Sequence, residues 1–129
     1  MDHGTDPTAL LASADRLARD VGVDPWRALM LVMTDHLWRL ELPAAAAAAV
    51  DVARHHWQGR LDPAGLARAK VACWAYLDEA FEPGTDLRHW AGRLTRATLC
   101  VLEPGGGDDA RGDHAEWFAV MLAGADGPG

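Results

Sequence analysis

Three Asp-Pro dipeptides, Asp6-Pro7, Asp24-Pro25 and Asp62-Pro63, punctuate the chain more firmly than any other feature. An Asp carboxylate at an N-cap accepts hydrogen bonds from the free amides of the first helical turn, and Pro in the next position lacks an N–H that would have gone unsatisfied. Each dipeptide therefore marks a helix start. Leu42-Pro43 marks another without the polar cap, Thr85-Asp86 one without Pro, and Asp113 with Glu116 resembles a capping box.

Apolar spacing agrees with these starts and predicts helices near 7–21, 25–41, 43–58, 63–80, 86–102 and 113–123. Leu10, Leu11, Ala14, Leu17 and Val21 line the first, which Gly22 stops. Trp26, Leu29, Met30, Met33, Leu37 and Leu40 line the second. Ala47, Val50, Ala53 and Trp57 fall on one side of the third, and Leu66, Cys73 and Leu77 line the fourth with Lys70 near the same face. Leu87, Trp90, Ala91, Leu94, Thr98 and Val101 make a fifth stripe, and Trp117, Phe118, Met121 and Leu122 a sixth. No stretch alternates like a strand, and Ile is absent. With 129 residues, enough for one domain, the expectation is a single all-α bundle of about six helices with short connections over 1–123. Segment 103–112 reads as a Gly-rich acidic loop and 124–129 as a disordered tail. The alanine run Ala44 to Ala49 has two readings: small side chains that place the third helix in the middle of the bundle, or codon bias combined with high helix propensity.

The formal charge of −7 is concentrated at the two ends of the chain. No stripe of Lys or Arg is available to replace counterions on phosphate, which argues against nucleic-acid binding and leaves a basic protein partner electrostatically welcome. The abundance of Arg and Ala fits a GC-rich genome and carries no functional weight. Residues 1–7 lack the basic and apolar regions of a signal peptide, and no apolar run is long enough for a membrane span, so a cytoplasmic protein is expected. Cys73 and Cys100 lack metal or disulfide spacing and read as small buried residues.

Six of the nine aromatic residues are Trp. Trp serves either as core filler or as an interface anchor. Trp26, Trp57, Trp90 and Trp117 fall within their apolar stripes and are expected in the core. At 100° per residue, Trp38 lies about 120° from Trp26, and Trp74 about 80° from Leu66, so these two are candidates for a second surface or for a wide buried face. Asp35 and His36 beside Trp38 are the polar interruption of an otherwise apolar helix. The candidate binding set is therefore Asp35, His36, Trp38 and Trp74. No catalytic residue, cofactor or metal site is assigned: no two His have i, i+4 spacing, Ser13 is the sole serine, and no nucleophile elbow or phosphate-binding loop is present.

The central segment, Asp35 to Trp38 followed by Ala44 to Gly59 and Leu66 to Trp74, resembles a helical family of polymorphic-toxin immunity proteins. In that family a helix with a polar-His interruption runs into an Ala-rich helix ending in Trp-x-Gly and then into another Ala/Arg helix. The likeness covers the central third of the chain, and the fifth helix and Leu99 to Pro104 depart from it. It implies a cytoplasmic binder that blocks a cognate toxin, with no catalytic residues. With charge concentrated at the two ends and no recognisable catalytic set, the leading functional expectation is noncatalytic protein–protein interaction, in which the acidic ends and an exposed Trp-bearing face meet a basic partner. The alternative is a small helical enzyme or small-molecule binder whose pocket is walled by Trp38 and Trp74, with Asp35 and His36 as polar groups. A homodimer burying the off-stripe tryptophans is compatible with either.

Overall fold

Each Asp-Pro pair opens a helix in the computed structural model of the chain, whose described residues are 6–103 and 110–123. Asp6 Oδ1 accepts from the Thr8 amide at 2.9 Å, Asp24 Oδ1 from Arg27 at 3.0 Å, and Asp62 Oδ1 from Gly65 at 2.9 Å. The helices are α1 (Pro7–Val21), α2 (Pro25–Trp38), α3 (Ala44–Trp57), α4 (Pro63–Ala80), α5 (Trp90–Val101) and α6 (Ala110–Ala123), with a 3₁₀ turn at Asp86–Arg88. Gly22 closes α1 in the left-handed region at φ 80°, where its N–H reaches Ala18 O at 2.8 Å. Among the described residues there is no strand, and the chain forms one all-α domain. The expected tail, 124–129, and most of the expected Gly-rich loop, 104–109, lie outside the described residues.

Three boundaries depart from the sequence reading. The second helix ends at Trp38 instead of 41, because the Arg39 and Leu40 amides turn back to His36 and Leu37 and the chain must extend before Pro43. Leu40 consequently leaves the core stripe and is exposed. The expected fifth helix divides: Asp86–Arg88 is a 3₁₀ turn, His89 is extended, and its Nδ1 caps α5 by accepting from Ala91 N at 3.2 Å. The Asp86 carboxylate, expected near a helix start, is instead held by Arg96 Nε at 2.6 Å. Finally, α6 begins at Ala110, so Asp113 lies inside its first turn, and Arg111 ties the helix to Asp15 of α1 at 2.8 Å.

The core gathers Leu10 and Ala14 of α1, Leu29, Met30, Met33 and Leu37 of α2, Leu66, Cys73 and Leu77 of α4, and Phe118 of α6 around α3 and α5. The buried side of α3 is Ala46, Ala49, Val50, Ala53 and Trp57; Ala47, expected there, is exposed. Small side chains let backbones approach, and α3 packs against α2, α4 and α5, in line with the central placement that the alanine run suggested.

The ends of three helices are satisfied by side chains from other helices. Arg27 Nε of α2 donates to Trp57 O at the end of α3 at 2.8 Å, and the Trp57 indole donates to Val101 O at the end of α5, also at 2.8 Å. Arg93 of α5 donates to Met121 O in the last turn of α6 at 3.0 Å and to Val120 O beside it. The last carbonyls of a helix have no partner within it, so each contact satisfies a polar group while locking one helix to another.

Candidate functional site

The four sequence-predicted site residues occupy two separate places. Asp35 and His36 border a cavity of about 460 Å³ between α1 and α2, together with Asp6, Ser13 and Arg39. Asp35 pairs with Arg39 at 3.1 Å on the surface, and the His36 ring meets Phe118 edge-on at 6.0 Å. Trp38 is exposed beneath the Arg54 guanidinium, which lies 4.1 Å from its ring centre. Trp74 stands on α4 and borders a different cavity, which Trp38 does not line. Among the described residues Trp38 and Trp74 stand on different helices, α2 and α4, and none of these cavities is bordered by both.

Trp74 instead borders an apolar groove of about 380 Å³ between α4, α5 and α6, facing Leu99, Cys100, Trp117 and Met121, with Leu87 contributed by the 3₁₀ turn. Trp117 corrects the sequence reading: it is 59% exposed, the largest aromatic surface among the described residues, and not a core residue. The buried face of α6 is Ala115, Phe118, Ala119 and Met121, with Leu122 beside it. The i, i+3, i+4, i+7 run Ala115, Phe118, Ala119, Leu122 is the sequence signal for this face, and a helix start at 113 with Trp117 in the apolar stripe hides it. Leu87, likewise expected in a core stripe, is exposed at the groove, and Trp90 is half-buried.

Charges on the groove are mostly matched. Lys70 of α4 pairs with Glu103 at one end, and Arg96 lies 4.7 Å over Trp74 while bonded to Asp86, which is buried. Trp74 and Arg96 also border an adjoining cleft with Asp78, Phe81 and Glu82. His114 of α6 lines the groove and meets the Trp26 ring edge-on at 4.8 Å. Burial pushes the Cys73 and Cys100 thiols up to about 11, with Glu103 adding to the effect at Cys100, so both stay protonated and poorly nucleophilic at neutral pH. Among the described residues no three His, Cys, Asp or Glu side chains converge as metal ligands.

Two histidines make the fold sensitive to pH. Burial pushes His56 below its usual 6.5, assisted by Arg27 and opposed by Asp62, and its Nδ1 accepts from the Asp62 amide at 2.9 Å, a bond that the protonated ring cannot make. Burial also lowers His36, with Arg39 adding to it and Asp35 opposing. Below pH 6.5 the unfolded chain takes up protons at these two positions that the folded chain refuses, so their contribution to stability is full above that pH and is lost as pH drops towards the folded values. Urea unfolding from about pH 7.5 to pH 5 is expected to show that decline, and His56→Gln to flatten it. An unchanged slope in the variant would remove His56 from this role.

Fold and site together define a small helical-bundle protein with a tryptophan-bordered groove that is open among the described residues. No family model, curated protein or solved structure matches the chain. No helix among the described residues is long and apolar enough to cross a membrane.

Proposed function

We propose that the chain is a noncatalytic cytoplasmic binding protein that acts by docking a partner protein on the α4–α5–α6 groove. The observation that carries this reading is the pair of exposed tryptophans, Trp74 and Trp117, bordering an apolar opening. Exposed Trp beside an apolar groove is the usual chemistry of a binding anchor, and both thiols are held in their unreactive form. An inhibitor of the immunity type is the particular form suggested by the resemblance of the central segment. Affinity purification from the native host is expected to recover one stoichiometric partner with the wild-type chain. Trp117→Ala is expected to weaken that complex about thirtyfold without lowering the melting temperature, because Trp117 contributes little to the core. Recovery of no partner, or a complex indifferent to Trp117→Ala and Trp74→Ala, refutes the reading.

A small-molecule site is the second reading, favoured by the groove's volume, which is that of an ordinary ligand pocket. Of the four residues of the expected Trp-lined pocket, it keeps Trp74 and leaves out Asp35, His36 and Trp38. Ligand-induced changes in Trp fluorescence, lost in Trp74→Phe, would support it, and silence across a broad screen counts against it.

A further inference from the structure

We infer that the groove takes a basic amphipathic helix of the partner, seated in one direction: its apolar residues between Trp74 and Trp117, and its Lys or Arg side chains at the Asp78–Glu82 end. This rests on the groove being a protein-docking site. The direction comes from the residual charge. Lys70 is matched by Glu103 and Arg96 by Asp86, so both cations bordering the groove are already paired. Asp78 and Glu82 lie where the groove passes Trp74 into the adjoining cleft; both are exposed, and neither makes an ion pair among the described residues. Among the described residues that border the groove and its adjoining cleft, Asp78 and Glu82 are the carboxylates without an ion pair, so a cation beside an apolar anchor finds its complement at that end.

The helix follows from what the walls can offer. They are helices and a 3₁₀ turn, with no strand edge among the described residues to pair with an extended peptide, so recognition falls to side chains presented at i, i+3 and i+4. A second copy of the chain is a poor occupant, because it carries the same net charge of −7 and brings Asp78 and Glu82 against themselves.

The test uses a displayed library of helical peptides of about 16 residues, long enough to span the groove, panned against the full chain. Selected peptides are expected to combine apolar residues at i, i+3 and i+4 with an excess of Lys and Arg at one end. Their affinity is expected to fall about tenfold in the double variant Asp78→Asn/Glu82→Gln and to weaken with added salt. Both substitutions are at exposed positions, and an unchanged melting curve confirms that the fold is intact. Peptides that lose binding in Trp117→Ala but carry no basic excess, or that ignore the double variant, overturn this inference while leaving the docking groove in place. Selection of no peptide sensitive to Trp117→Ala overturns the docking reading as well. A concentration-dependent dimer abolished by Trp117→Ala assigns the groove to a second copy and also overturns the inference.

Discussion

Trp57→Ala is expected to remove about 4 kcal/mol of folding stability. The side chain is 5% exposed, and its indole spans α3 to α5 through the 2.8 Å bond to Val101 O. Removing it leaves a cavity in the middle of the bundle and takes away a donor from the last carbonyl of α5. The ring and the hydrogen bond can be separated. Trp57→Phe keeps most of the apolar contact but not the N–H, and is expected to cost about 1–3 kcal/mol, the penalty of a buried carbonyl left without its donor. Urea unfolding of both variants measures the two contributions. A Phe variant as stable as wild type would mean that Val101 O finds another partner and that the indole acts through packing alone.

The second large effect is expected at Gly92, where α5 passes beneath the 3₁₀ turn. A Cβ there would stand 2.1 Å from Asp86 O and 2.7 Å from Asp86 C, distances at which backbone must move. Asp86 cannot yield easily: its carbonyl accepts from the His89 amide at 3.1 Å, and its carboxylate is bonded to Arg96. A clash with backbone lies at the top of the usual overpacking range, about 3 kcal/mol, and Ala gains about 1 kcal/mol of helix propensity over Gly, so the expected net loss in Gly92→Ala is about 2 kcal/mol. The consequence also reaches the groove. Displacing the turn moves Leu87 and loosens Arg96 from Asp86, so partner affinity is expected to fall together with the melting temperature while far-UV circular dichroism stays helical. A variant that melts at or above the wild-type temperature refutes the close approach.

Helix existence was legible because its signals are local. Asp at an N-cap, Pro after it and Gly22 at a left-handed end act within a few residues, and all three Asp-Pro starts are used. Boundaries were less legible wherever a local signal had a competing tertiary use. Asp86 looked like part of a helix start but is consumed by Arg96, ten positions along the chain, and His89 takes over the cap. Asp113 reads as a cap from its spacing to Glu116, but Arg111 upstream already lies in α6 and binds α1.

The site was half legible. Trp74 was singled out because it lies off its apolar stripe, and it does border the groove. Trp117 reads as core when its size is weighed ahead of spacing; the stripe of Ala115, Phe118, Ala119 and Leu122, mostly small residues, is the face that α6 turns inward. Asp35, His36 and Trp38 are correctly adjacent on α2, but adjacency on one helix does not place them opposite Trp74.

By itself, then, the sequence determined that this chain is helical, where its Asp-Pro helices begin, and that its acids outnumber its bases, because capping, proline geometry and charge are properties of a residue and its near neighbours. Which tryptophans fill the core, which border a groove, and which carboxylates remain unmatched beside it were decided only by tertiary structure. Those properties depend on which helices pack together, and the pairings that settle them, Trp57 with Val101, Arg96 with Asp86 and Lys70 with Glu103, join residues on different segments of the chain.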